Sequence, residues 1–304
     1  MHCNVCERDV VGEVERGRSR SNVRKFRDEV FEVWRCPHCR SIHATDEVDL
    51  AHYYADYPFH KLADTDVDWM LGAMYRNLLR RLRSHGYAPS HSLLDYGCGS
   101  GHFLKLLADL GYPQTAGFDE YSEHYADRAV LARRYDVVMS QDVIEHVDSP
   151  REHLRTLAQL VEPGGLIVVG TPNADAIDLA HPEPRVHTLH LPYHRHILAA
   201  ETLRGLGAEL GWELLRYYPT MYSNTRVPFV NTPFVTHYFR CFDNTVDVAL
   251  EPINVKSWKL WSPTTLWYAF AGSFLAPDAD VMVVFRSPGA KSDGTDHRSD
   301  TGMH

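Results

Sequence analysis

The segment Leu93-Leu94-Asp95-Tyr96-Gly97-Cys98-Gly99-Ser100-Gly101-His102-Phe103-Leu104 limits the possible folds more than any other. It reads as a buried strand, a turn with glycine at alternate positions, and the apolar start of a helix. Such glycines let the backbone take positive φ and come close to a bound group. The helix N-terminus beyond them favours a negatively charged moiety. From Ser92 onward strand-like and helix-like segments alternate, the pattern of a parallel sheet covered on both faces. Expected strands cover Ser92–Tyr96, Thr115–Phe118, Tyr135–Ser140, Leu166–Gly170, Trp212–Tyr217 and Asp280–Phe285. Expected helices cover His102–Leu110, Glu123–Arg133, Arg151–Val161 and Ala199–Leu210, with Gly111 and Gly164 as C-terminal caps. A helix over Val67–His85 precedes them, with Met70, Leu71, Met74, Leu78 and Leu82 at helical spacing.

Four of the six cysteines form two pairs, Cys3-x2-Cys6 and Cys36-x2-Cys39. Each spacer lets both thiolates turn onto one ion, and the 29 intervening residues suffice for a hairpin that joins the two knuckles. The spacing predicts a zinc ribbon with a closed, structural Zn2+ site; unliganded thiols, or a disulfide in an oxidising compartment, are the other readings. His38 and His43 lie nearby and receive no role. The expected divisions are a ribbon and aromatic linker over 1–60, a core over 61–218, an aromatic insertion over 219–279, a last core strand over 280–288 and a polar, disordered tail over 289–304. The insertion reads as a lid or substrate wall, or as ordinary core packing.

A net charge of -9 argues against a general nucleic-acid binder. Arg16, Arg18, Arg20, Arg24, Lys25 and Arg27 nevertheless form a local basic run, either a docking surface or a solvated hairpin. No apolar run approaches the roughly 18 to 20 residues that span a bilayer, and the first residues carry no signal pattern. The expected compartment is the cytoplasm.

A dinucleotide fingerprint, G-x-G-x-x-G, would need glycine or alanine at 102, where the chain has His102. The run instead resembles the D-x-G-x-G-x-G motif of class I S-adenosylmethionine (SAM) methyltransferases. That resemblance implies a Rossmann-like, doubly wound α/β fold and a cofactor site at Asp95, Gly97, Cys98, Gly99 and Gly101. Asp119, ending the next strand in Gly117-Phe118-Asp119, matches the family's ribose-binding carboxylate. The segments Tyr135 to Val147 and Leu160 to Leu166 resemble the family's fourth strand with its Glu-His turn and its turn into the fifth. Only about fifteen residues separate Asp119 from Tyr135, too few for the usual third strand. Gln141 and Asp142 are the substitutes for its adenine contact. The ribbon pairing resembles bacterial sugar and natural-product methyltransferases. Related ubiquinone-pathway O-methyltransferases carry acid-x-x-Glu-His, and some bind a divalent ion through it; Asp142-x-x-Glu145-His146 has that spacing, which admits Mg2+ or a plain helix-capping role.

SAM brings its own reactive sulfonium, so such a protein mainly aligns groups and excludes water. A hydroxyl acceptor also calls for a base, and histidine is the natural choice. The candidates are His146, His190 and His194, the last two in the histidine-rich loop after the fifth strand; capping or solvent-exposed roles compete. The expected function is methyl transfer to a hydroxyl or carbon of a small acceptor, sugar-, polyketide- or quinone-like. The alternatives are an RNA methyltransferase that docks through the ribbon, and a SAM-binding module without turnover.

Overall fold

The computed structural model describes residues 1–55, 57–58, 66–253, 257–275 and 279–289. Two short strands, β1 (His2–Cys3) and β2 (Arg8–Asp9), pair antiparallel and carry the first cysteine knuckle. Strands β3 (Arg16–Arg20), β4 (Val30–Arg35) and β5 (Ile42–Ala44) follow as an antiparallel meander. Alternate side chains of β4 are buried, so Phe31 and Val33 face inward while Glu32 faces out. Helix α1 (Leu50–Tyr54) starts at Asp49, whose carboxylate accepts from the Ala51 N–H. Helix α2 (Trp69–Ser84) is capped the same way by Asp68 on Leu71, and buries Leu78, Leu79 and Leu82.

The core continues with β6 (Leu93–Tyr96), α3 (His102–Asp109), β7 (Thr115–Phe118), β8 (Tyr135–Gln141), α4 (Pro150–Leu160), β9 (Val161–Pro172), α5 (Val186–Leu189), β10 (His196–Ile197), α6 (Ala200–Glu209), β11 (Glu213–Tyr218), α7 (Thr232–Cys241), α8 (Pro263–Ala271) and β12 (Asp280–Arg286). Its six-stranded sheet runs β11-β12-β9-β8-β6-β7. The four strands from β9 to β7 are parallel, and β12 runs antiparallel to both neighbours. Central strands are apolar on both sides because both faces are covered. Leu94, Val138, Ile167 and Val169 pack with Leu154 and Leu157 of α4 and Leu203 and Leu206 of α6. Leu93, Val137, Met139 and Val168 face α2 and α3, among Leu78, Leu82, Phe103 and Leu107.

Two expected elements differ. The helix placed over Glu123–Arg133 is only a 3-10 turn, Arg128–Ala132, started by the Asp127 carboxylate on the Ala129 N–H. The Asp119 N–H bonds to the Tyr125 carbonyl and holds residues 119 to 125 as a loop, so little chain remains for a helix. No third strand occurs among the described residues, and β7 is the sheet edge there. Gly164 is not a helix cap: α4 ends at Leu160, and Gly164, with φ +79°, donates to the Pro288 carbonyl. Gly111 does close α3, with bonds from Gly111 to Ala108 and from Tyr112 back to Leu107.

The N-terminal meander does not stand apart. Strand β10 adds to it in the order β10-β5-β4-β3, with His196 opposite His43 and Ile197 opposite Ile42. Phe31, Val33 and Ile42 share one apolar cluster with Ala174, Ile177, Leu179, Leu189 and Leu191 from the chain after β9. Buried Arg35 donates to the carbonyls of Ala174 and Ile177 and pairs with Glu15. Within the knuckles, Glu7 and Arg40, each directly after a second cysteine, have positive φ. The four sulfurs lie within 4.8 Å of one another, Cys3 to Cys39 at 3.6 Å and Cys6 to Cys36 at 3.8 Å. A tetrahedral zinc with Zn–S near 2.3 Å needs S···S spacings of about 3.8 Å, so these residues fit it. His43 Nε2 lies 3.2 Å from Cys3 Sγ and contacts the cluster from outside. The tail expected to be disordered lies, apart from Gly289, outside the described residues.

Shared sheet and shared apolar cluster predict coupled unfolding. Replacing Cys36 with serine is expected to lower the melting midpoint of the whole chain by roughly 5–10 °C, at about 2–4 °C per kcal/mol for a domain of about 200 residues, and a chelator to do the same with zinc in the cysteine site. Calorimetry that shows the main transition unmoved, with a separate small transition lost, would contradict this coupling.

Candidate functional site

The glycine turn is pinned at the mouth of the sheet. Gly97 and Cys98 both donate their N–H groups to the Phe118 carbonyl, at 2.6 and 3.2 Å, which ties the end of β6 to the end of β7. Gly97 (φ +84°) and Gly101 (φ +71°) take conformations that L side chains avoid. A Cβ on Gly97 would stand 2.1 Å from Val143 Cγ2, and one on Gly101 2.1 Å from Tyr125 Oη. A Cβ on Gly99 would meet open space, so this residue is open to solvent. Asp119 accepts from Gly99 N through Oδ2 and from Tyr121 N through Oδ1, both at 2.9 Å, and each oxygen keeps a lone pair for ligand hydroxyls. Asp95 is buried below the turn, where burial and the charge of Asp119 push its pKa up to about 7. A carboxylate in that state gains from a cationic ligand such as an ammonium or sulfonium.

A second group of side chains gathers at the C-terminal edge of the parallel strands. Asp142 follows β8 with φ +55°, its N–H on the Gly170 carbonyl. It opens to the cleft yet stands among so much protein that burial, with neighbouring Asp280, raises its pKa to about 7. Glu145 is fully buried, and burial followed by the charge of Asp142 raises its pKa far above the usual carboxylate range. Its Oε2 accepts from Thr171 Oγ1 at 3.0 Å; its Oε1 has no hydrogen-bond partner among the described residues and faces His194 Nε2 at 4.0 Å. His146 stacks edge-on to His194, with ring centres 4.8 Å apart. One donor atom from each of Glu145, His146 and His194 lies within 4.8 Å of the others. Two imidazoles and one carboxylate suit a borderline ion such as Zn2+, Mn2+ or Fe2+ better than Mg2+, which prefers an all-oxygen shell. Two surface hollows, one by Leu79, Tyr87 and Tyr112 and one by His91, Asp136 and Glu162, contain none of these groups.

A family model described as a methyltransferase domain matches residues 69–217. This part of the chain belongs to the class I SAM-dependent methyltransferases. A ubiquinone biosynthesis O-methyltransferase of Caulobacter sp. is 35% identical over 102 residues, which cover 27% of this chain and 40% of that protein. One from Bradyrhizobium diazoefficiens is 29% identical over 136 residues, 38% of this chain and 53% of the relative. The chain thus spans about half the length of the curated relatives it matches. A SAM-dependent methyltransferase structure from Archaeoglobus fulgidus aligns with 77% of this chain and 100% of its own at 18% identity, with a TM-score of 0.43.

Hydrogen bonds around the methyltransferase histidines assign their tautomers. His146 Nδ1 faces the Tyr193 carbonyl at 3.2 Å and Tyr54 Oη at 3.1 Å, so it carries the proton and leaves the Nε2 lone pair free. His194 Nδ1 donates to the Thr188 carbonyl, which also leaves its Nε2 as an acceptor toward Glu145. His190 differs: Nδ1 donates to Asn22 Oδ1 at 2.7 Å and Nε2 accepts from the Tyr57 hydroxyl at 3.2 Å. Asn22 Nδ2 in turn donates to His187 Nδ1, and His187 Nε2 donates to Asn244 Oδ1. This buried chain joins the ribbon, the histidine loop and the insertion. It occupies both nitrogens of His190. Burial holds the pKa of His146 down near 4 and that of His190 near 3, and pushes that of His194 well below the usual imidazole value, so all three are neutral at pH 7.

The structure thus brings together Asp95, Gly97, Gly99, Gly101 and Asp119 at the turn, and Asp142, His146 and His194 at the second group. Cys98 lies beneath the turn, where burial raises its thiol pKa, and a Cβ on Gly117 would stand 2.7 Å from its sulfur. Gln141 points to β9: its amide donates to the Ser140 and Val168 carbonyls. Sequence reasoning missed Tyr54, Tyr57, Asn22, Asn244, Gly117 and Asp280. The density of tyrosine over residues 53 to 57 was the available signal for two of them.

Gly97→Ala is expected to weaken binding of S-adenosylhomocysteine at least about tenfold by calorimetry, since positive φ and the Val143 contact both oppose a side chain. Stability also depends on pH in two opposed ways. Histidines 146, 153, 187, 190 and 196 have folded pKa values of about 3 to 4, so the stability they contribute is present above the unfolded value near 6.5 and is lost as pH falls below it. Asp95, Asp142 and Asp280 have folded values raised to about 6 or 7, so their contribution is present at low pH and is lost as pH rises through that range. The ligand-free chain should therefore melt highest at about pH 6 to 7. A melting curve that climbs steadily to pH 9 would contradict it.

Proposed function

We propose that this chain transfers a methyl group from SAM to a hydroxyl of a small-molecule acceptor, with His146 as proton acceptor. The observation that carries the reading is the free Nε2 of a neutral, half-buried imidazole held three residues from Val143, which itself packs on Gly97 of the cofactor turn. The named relatives, as O-methyltransferases, support an oxygen acceptor over a carbon one.

Bound SAM supplies an electrophilic methyl on a sulfonium. Asp119 holds the ribose hydroxyls, Asp95 offers a carboxylate to the methionine end, and the α3 N-terminus receives its carboxylate. His146 takes the acceptor's proton on Nε2 as its oxygen is methylated, while the Tyr193 carbonyl and Tyr54 keep Nδ1–H pointed away. Tyr54, Tyr57 and Tyr193 pack ring against ring beside His190 and His194 and form an aromatic wall for a planar or sugar-like acceptor. The insertion over 219–279 forms the outer side: Arg240 donates to the Pro184 carbonyl, and Phe239 packs on His187. In this reading Cys3, Cys6, Cys36 and Cys39 hold a structural Zn2+. This reading goes with a reducing compartment, the cytoplasm, where thiolates stay available to a metal. Glu145, His146 and His194 have the donor set for a borderline divalent ion; with one bound, His146 is a ligand and the base role passes from it.

An RNA acceptor is less well supported, because half of the basic run, Arg18, Arg20 and Arg24, lies against the chain's own acids. Arg24 pairs with Asp243 and Glu251, Arg20 lies 3.7 Å from Glu183, and Arg18 lies 3.7 Å from Glu32.

The test is transfer of labelled methyl from SAM into host extract split into small-molecule and RNA fractions, with Gly99→Asp as control. Label is expected in small molecules. His146→Ala should lower turnover by about 100-fold or more with S-adenosylhomocysteine affinity retained, whereas His190→Asn acts through stability. Wild-type turnover in His146→Ala removes the base; label in RNA alone removes the small acceptor; binding without transfer to any fraction leaves a SAM-binding module.

A further inference from the structure

Helix α8 carries no charged side chain and lacks the polar face that a surface helix needs. Its inner side packs on α7, with Ala269 in a cluster with Phe234 and Leu260, and the ring of Tyr268 stacks on His237. Its outer side carries Trp267 and Phe270, one turn apart and 62% and 61% exposed. Phe274 in the next turn is 79% exposed, and Trp258 and Trp261 in the preceding turn are 75% and 55% exposed. Helices apolar all round are covered in globular proteins or lie against lipid, and contiguous aromatic surface of this size marks an interaction site.

Charge selects among occupants. Residues 257–275 contain no aspartate or glutamate and a single cation, Lys259, in a chain of net charge -9. An acidic partner surface is repelled by most of this molecule but not here. Tryptophan with phenylalanine is the composition that settles at a membrane–water interface, where the rings reach the acyl boundary; the one cation, Lys259, donates to the Cys241 carbonyl. A second copy fits less well: five rings of about 150–250 Å² each, partly exposed, offer at most the roughly 800 Å² per partner of a stable complex. Residues 290–304 cannot supply an apolar cover either, with Met303 their one large apolar side chain.

We propose that the acid-free aromatic face formed by Trp258, Trp261, Trp267, Phe270 and Phe274 docks on the headgroup region of a phospholipid bilayer. No helix among the described residues is long and apolar enough to cross it. The face lies on the same insertion whose helix α7 contacts the histidine loop.

The experiment is flotation of the full chain with vesicles of phosphatidylcholine, alone or with a minority of phosphatidylglycerol. Tryptophan emission is followed with brominated acyl chains as quencher. Binding is expected to the anionic vesicles, with a blue shift and quenching, and to weaken at least about tenfold in Trp267→Glu. S-adenosylhomocysteine binding and melting temperature serve as fold controls, and Phe274→Ser provides a second, milder variant. Failure of the native chain to float with either vesicle overturns the proposal, as does undiminished binding by both variants. Loss of binding in Arg16→Glu with no loss in Trp267→Glu assigns the contact to the ribbon instead. Self-association by sedimentation velocity that Trp267→Glu abolishes, without vesicle binding, makes the face a dimer interface. Because methyl transfer is not the readout, none of these outcomes bears on the acceptor reading.

Discussion

The pairing of His196 and Ile197 with His43 and Ile42 is the contact on which the site depends. It is only two residues long, yet it turns the cysteine-bearing hairpin and a loop of the methyltransferase domain into one sheet. The Arg195 N–H, next to this pairing, bonds to the Glu145 carbonyl, and His196 Nε2 donates to the Ile144 carbonyl. The segment that carries Glu145 and His146 is thus held by backbone from one side and by the end of β8 from the other. Short edge strands are weak by themselves. This one persists because Phe31, Val33, Ile42, Leu189 and Leu191 bury against one another beneath it, each such side chain contributing about 1.5–3 kcal/mol when fully buried.

Burial also decides what the titratable groups can do. Histidines at this site are neutral because charging them inside protein is costly, and their tautomers follow from which nitrogen meets a carbonyl. The carboxylates show the reverse effect. Asp142, Asp280 and Glu145 stand near one another with few cationic neighbours, and each is driven toward its protonated form. Such an arrangement is unfavourable until something positive arrives. Both a sulfonium cofactor and a divalent ion meet that description, which is why the strain sits at the cleft and not in the packed sheet.

Local patterns make much of this readable before any coordinates. Strand limits at Leu93–Tyr96, Thr115–Phe118 and Asp280–Arg286 follow from apolar runs bounded by glycine, proline or acid, and the missing third strand follows from chain length alone. The glycine turn and Asp119 are legible because their chemistry needs fixed spacing. What stays hidden depends on contacts between distant segments. Tyr54 and Tyr57 look like a linker until they reach His146 and His190; Asn22 and Asn244 are ordinary loop residues until two histidines lie between them. The short 3-10 turn at Arg128–Ala132 reads as a longer helix because its periodicity is sound, while the Asp119 to Tyr125 bond that shortens it is tertiary. His190 resembles a base from its position in a histidine-rich loop, and only its two partners show how fully it is engaged.

The interleaving of ribbon and core has a consequence for how the chain is made. Synthesis runs from the N-terminus, so Phe31, Val33 and Ile42 leave the ribosome long before Leu189, Leu191 and Ile197, which cover them. Throughout that interval the nascent ribbon has an uncovered apolar face and an unpaired edge at β5. The four cysteines, already complete at residue 39, can close on a metal during this time and keep the hairpin in register. With zinc in the proposed site, metal supply during translation then matters as well as its retention afterwards.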